Sequence, residues 1–179
     1  MGLLDRLPTW QQAAQVYAII VLLTYTWTIL SFFWMFPSWR IILTAGEILG
    51  VLAYSLAAVL LESLLVMVVV VIAAAALPKK WFGDVFVARG AALVLAGLGY
   101  AMFLSEQLKT QGGFPKLALP GWVLIMPLGA IVLLVYLAGR ITLVRKFLES
   151  LADRATIFLY VMTPLSVLSL LGVLTGMIR

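Results

Sequence analysis

Two acids, Glu47 and Glu62, stand inside a run of the chain that is otherwise almost wholly apolar. Glu62 is flanked by Leu60, Leu61, Ser63 and Leu64. A carboxylate among hydrocarbon is costly, so a group in that setting is expected to be protonated, paired with a cation or in contact with water, and one use of such a residue is as a proton or cation site. Glu47 lies fifteen residues earlier, and at 100° per residue the two acids project about 60° apart on a helix. Tyr54 and Ser55 fall on or near the same face, with Ala58 beside them. Glu47, Tyr54, Ser55 and Glu62 therefore form a candidate intramembrane polar stripe, which would either line a water-filled path or pack against another helix. Joint acid–base work by the two acids is excluded by distance, since fifteen residues of helix set them about 22 Å apart.

The residues that are missing remove much other chemistry. There is no His, no Cys and no Asn. Bis-His haem ligation, zinc sites, disulfides, thiol nucleophiles and Ser-His relays all need side chains this chain lacks, so no metal and no cofactor is expected on it. Asp5, Asp84 and Asp153 lie at the edges of apolar runs, and every Lys lies in a connection. A paired aspartate centre or a Ser-Lys dyad within an apolar run is thus unsupported, and the expectation is a protein without catalytic residues.

The elements that must carry these residues follow from composition. Hydrophobic residues make up 65% of the chain and charged residues only 11%, with a mean hydropathy of +1.18. A soluble domain of this length cannot hide that much apolar surface. In lipid every backbone N–H and C=O must be satisfied internally, and the long continuous apolar runs point to helices rather than the short alternating strands of a barrel. The fold class predicted is an all-α integral membrane protein, one domain over 1–179, in which about five transmembrane helices form a bundle.

Thr9 and Gln12 have the spacing of a capping box, and the first crossing is placed at 13–36. A turn is expected at Pro37, Ser38, Trp39 and Arg40. From 41 to 77 the chain is apolar without a proline, about 55 Å as a helix, and is read as one long second helix rather than two crossings. A third crossing is placed at 85–104, with Asp84 as its N-cap, and a loop at 105–120. The fourth is placed at 121–138. A short amphipathic surface helix is expected over 140–154, because Val144, Phe147, Leu148 and Leu151 recur at helical spacing against Arg145, Lys146, Glu149 and Asp153. A fifth crossing at 155–178 completes the chain.

Small residues four apart mark candidate packing faces: Gly46 with Gly50, then Ala88, Ala92 and Ala96, then Gly172 with Gly176. The first helix is rich in aromatics, and Tyr25 and Trp27 near its middle are placed to touch lipid, a ring-shaped cofactor or another helix.

The net charge of +5 resides in connections, so topology explains it better than nucleic acid does. With five crossings, Arg6, Lys79, Lys80, Arg89, Arg140, Arg145, Lys146 and Arg154 share the side of the N-terminus, against Arg40, Lys109, Lys116 and Arg179. That asymmetry predicts a multi-pass protein of the cytoplasmic membrane with its N-terminus in the cytoplasm and its C-terminus outside. The expected partners are the lipid bilayer and either other membrane subunits or further copies of this chain. The function expected is that of a non-catalytic subunit within a larger membrane complex. The alternatives are a small oligomeric channel or ion-coupled transporter working through Glu62 and Glu47, and, third, a lipid-active membrane enzyme.

Overall fold

A computed structural model describes residues 8–76, 85–110 and 121–177. These residues form five helices: α1 (Trp10–Ile42), α2 (Ala45–Ala76), α3 (Phe86–Thr110), α4 (Gly121–Arg140) and α5 (Thr142–Leu174). No strand occurs among the described residues. Four stretches are long and apolar enough to cross a membrane, namely Trp10–Ile42, Ala45–Ala76, Phe86–Gln107 and Thr142–Leu174. The fourth helix in chain order is a shorter apolar one over Met126–Arg140, the part of it whose side chains are described. Asp84, Lys79, Lys80 and most of the expected loop after α3 lie outside the described residues.

The capping box at the start of α1 is formed: the Gln12 N–H donates to Thr9 Oγ1 at 3.4 Å and the Thr9 N–H to Gln12 Oε1 at 3.1 Å. The turn expected at 37–40 is not there. Pro37 lies inside α1, which runs on to Ile42. A proline removes one donor from the ladder, and an apolar helix tolerates that where its surroundings re-satisfy the freed carbonyl. The chain instead reverses at Leu43 and Thr44, where a stronger signal is written. The Thr44 N–H and Oγ1 both donate to Glu47 Oε2, at 2.7 and 2.8 Å, and the Glu47 N–H donates to Thr44 Oγ1 at 3.4 Å. This is a second capping box, and it starts α2 at Ala45 rather than at 41.

The amphipathic segment and the last crossing are one helix, contrary to the expected break at 154/155. Nothing between Thr142 and Thr163 interrupts the ladder, since that stretch has neither Gly nor Pro. Its buried positions also continue across the expected boundary: Leu148, Ala152 and Ala155 are spaced four and three apart on one stripe, so the charged turns are held by the same packing as the turns that follow. The helix ends at Leu174, short of 178, because Gly176 takes φ +70° and lets the Met177 N–H donate back to the Gly172 carbonyl at 3.1 Å.

At the centre stands α1, which packs on α2, α3 and α5. Val16, Ala18, Ile19, Ile20 and Val21 have no solvent-accessible surface, so this stretch is covered all round, as its uniformly apolar sequence requires. Around it gather Val70 and Ala74 of α2, Phe86, Ala88 and Ala91 of α3, Val135 and Ala138 of α4, and Leu148 and Ala152 of α5.

Candidate functional site

The polar side chains of α1 are used to fasten its neighbours. Gln15 Nε2 donates to Asp153 Oδ1 of α5 at 2.6 Å. Ser63 Oγ of α2 gives its single hydrogen to the Leu60 carbonyl at 2.8 Å, so the 3.1 Å contact between it and Tyr17 Oη has the tyrosine as donor. Tyr25 donates to Ser166 Oγ of α5 at 2.8 Å, and both residues are buried. Since Gln15 pairs with Asp153 and Tyr25 with Ser166, α1 and α5 run in the same direction. Tyr25 is therefore a packing residue against α5 rather than a free ring, whereas Trp27 lines a shallow recess of about 280 Å³ with Phe32, Trp39 and Ser55.

The Tyr25–Ser166 bond can be tested by which partner is removed. Ser166→Ala strands a buried phenol and should cost about 1–3 kcal/mol of thermal stability in micelles, while Tyr25→Phe leaves a serine that can turn back to its own helix and should cost about 1 kcal/mol or less. Equal losses from the two, or none from either, would mean that the bond does not hold α5 to α1.

The stripe on α2 faces the other way. Tyr54, Ala58 and Glu62 are all exposed, together with Leu61, Leu65 and Val69. Ser55 is half-buried and turned onto its own helix, donating to the Val51 carbonyl at 2.8 Å. Glu47, at the start of the stripe, is the capping acid of α2. The four residues thus do not converge on an internal path: one caps, one back-bonds, and Tyr54 and Glu62 project outward from the bundle. Glu62 makes no hydrogen bond or ion pair with any described residue. By contrast, Glu149 is paired with Arg145 at 2.8 Å one turn away on α5.

Of the small-residue faces, Ala88 and Ala92 are buried in the core, Ala96 is half-buried, and Gly50 is buried on α2. Gly46 has open space around it. Gly172 is half-buried, and Gly176 is the terminator of α5. The closest approaches lie elsewhere. A Cβ built on Gly90 of α3 would stand 3.0 Å from Val16 Cγ2, and one on Gly139 of α4 would stand 2.5 Å from Arg89 Nη2. Arg89 is only 9% exposed, so its guanidinium is packed on the backbone at the C-terminal end of α4, where the helix dipole favours a cation.

The chain matches no known protein family, no curated protein and no solved structure. The site must therefore be read from its own geometry. Beside the stripe, an apolar cleft of about 420 Å³ opens between α1, α2 and α5, lined by Ala13, Ala14, Tyr17, Leu64, Met67 and Leu159 among others. Its walls are almost wholly apolar; Thr163 of α5 also lines it, and its buried hydroxyl has no hydrogen-bond partner among the described residues. The feature of α2 that calls for an explanation is Glu62.

Proposed function

We propose that the chain is a non-catalytic integral membrane subunit, with five crossings, its N-terminus in the cytoplasm and its C-terminus outside, which packs into a larger complex through the outer face of α2. The observation that carries this reading is Glu62: an acid on the outward, apolar side of a helix long enough to span, with no partner among the described residues of its own chain. A carboxyl group left against acyl chains is costly, whereas the same group covered by a neighbouring protein can be satisfied. The flank of α5 is bare as well, a face that either acyl chains or a neighbouring protein covers. Tyr160, Leu168 and Leu174 are all more than half exposed there, and the apolar window of that helix is only 6% buried within the chain.

A channel or ion-coupled transporter is the rival, and one arrangement would suit it: copies of the chain set around an axis with Glu62 facing inward. The two readings differ in what the purified chain does alone. Reconstituted into vesicles without other proteins, it is expected to leave them impermeable to protons and monovalent cations. A flux that Glu62→Gln removes while the protein remains folded would overturn the subunit reading in favour of the channel.

A further inference from the structure

We infer that the cleft between α1, α2 and α5 binds a membrane lipid whose polar end is an uncharged hydroxyl group, a long-chain alcohol in its simplest form. The cleft exists because α1 carries only methyl groups at Ala13 and Ala14, between the rings of Trp10 and Tyr17. Leu64 and Met67 of α2 and Leu159 of α5 complete the walls of a volume of about 420 Å³. Its rim is open, since Trp10 is 87% exposed and Tyr160 75%. An apolar recess with an open rim suits a hydrocarbon chain, and a few polar groups in its wall decide which head that chain carries. No charged side chain is among the described residues that line it. A phosphate, a carboxylate or an ammonium group therefore finds no counter-charge there.

One wall supplies the selectivity. In this bundle a helical hydroxyl commonly returns its hydrogen to its own helix: Thr24, Ser55, Thr156 and Ser169 each donate to the carbonyl four residues before, at 2.9, 2.8, 3.1 and 3.0 Å. Thr163 does not, and its buried Oγ1 has no hydrogen-bond partner among the described residues. The next residue, Pro164, has no N–H, so the Tyr160 carbonyl lacks the donor that an unbroken ladder would give it. Thr163, Pro164 and Tyr160 all line the cleft. A donor and an acceptor thus stand within one turn of α5, each short of the bond it usually makes. Threonine uses two χ1 wells on a helix, so Oγ1 can turn from its covered position toward the cleft with the backbone fixed. The Tyr17 hydroxyl, by contrast, already gives its hydrogen to Ser63. A ligand hydroxyl matches the pair on α5, because it accepts from Thr163 and donates to the Tyr160 carbonyl, whereas an ether or ester oxygen uses only the first. Nothing in this site depends on the chain's being a subunit.

The test uses the full chain in phosphatidylcholine vesicles and a hexadecanol that carries a photoreactive diazirine on its chain. Unlabelled hexadecanol, hexadecyl methyl ether and hexadecane serve as competitors. Illumination should attach the alcohol to α1 near Ala13 and Ala14 and to α5 near Leu159. Hexadecanol should displace it at about a tenth of the concentration that the ether needs, with hexadecane weaker than either. Thr163→Val should cut the labelling about tenfold and abolish the preference for alcohol over ether. Thr163→Ser, which keeps the hydroxyl, should stay within about twofold of the wild type. Ala14→Leu, which fills the floor of the cleft, should remove the labelling, with circular dichroism showing that each variant is folded. Equal competition by the alcohol, the ether and hexadecane on the wild type would make the cleft a mere contact for acyl chains and overturn the assignment. So would a preference for the alcohol that survives in folded Thr163→Val, or labelling that survives Ala14→Leu. If Thr163→Val does not fold, the competitor series on the wild type and Thr163→Ser decides alone.

Discussion

Glu62→Lys should abolish assembly while leaving the chain itself folded. Glu62 makes no contact that its own bundle depends on, so the isolated variant is expected to unfold within about 0.5 kcal/mol of the wild type. Lysine also has a long stem that can carry its charge along the helix surface, which limits the cost of the exchange to insertion. At the interface the effect is of another order. The reversal puts a cation where the covering protein accommodates a carboxyl group, a misfit worth about 3 kcal/mol or more and thus about a hundredfold loss of complex. The readout is the yield of assembled particle from membranes expressing the variant, normalised to the amount of chain inserted. Glu62→Gln should fall between the two. Wild-type yield from the lysine variant would show that nothing is docked at this carboxyl.

The second large effect concerns the seam between α1 and α3. At Gly90 a methyl group would stand 3.0 and 3.3 Å from the two γ-carbons of Val16, a residue with no accessible surface. Val16 is β-branched and fixed in its helix, so it cannot move aside without moving α1. Gly90→Ala is expected to cost about 1–3 kcal/mol, and Gly90→Leu to prevent the core from closing, seen as loss of a monodisperse species in micelles. Val16→Ala makes the matching space. Added to Gly90→Ala, it should restore a substantial part of the lost thermal stability, and strictly additive losses from the two changes would show that the residues do not meet.

How far the sequence foretold this arrangement depends on which physical signal each element carries. The existence of the helices was legible because long apolar runs leave the backbone no other way to satisfy itself. The Thr9–Gln12 cap was legible as well, and so was the unbroken course of α2 through a stretch without proline. The turn between α1 and α2 lies not at Pro37, which an apolar helix tolerates, but at Thr44 and Glu47, which carry the same capping spacing as Thr9 and Gln12. The separate surface helix before α5 failed for a related reason, since a change from charged to apolar composition does not end a helix when no Gly or Pro interrupts it.

The site was legible in part. Spacing alone places Glu62 on a face with Tyr54, but a helix that is apolar on every side carries no sign of which side the bundle covers. Only the packing shows that Ser63 turns inward to Tyr17 while Glu62 turns outward. Regular four-residue spacing of small residues led to Gly46 and Gly176, which pack against nothing, and passed over Gly90 and Gly139, whose importance comes from Val16 and Arg89 in other helices. Close approach is a property of two surfaces, and a single sequence pattern describes only one of them.

Whether the chain is one component of a heteromer, as proposed, is measured directly by the mass of the intact particle. Extracted from its own membrane in a mild detergent and weighed without dissociation, the particle should contain this 19.6 kDa chain together with at least one different polypeptide in fixed ratio, and that polypeptide should be lost from Glu62→Lys preparations. A mass equal to one chain, or to a whole number of identical chains, would show that the chain is no subunit of a heteromer.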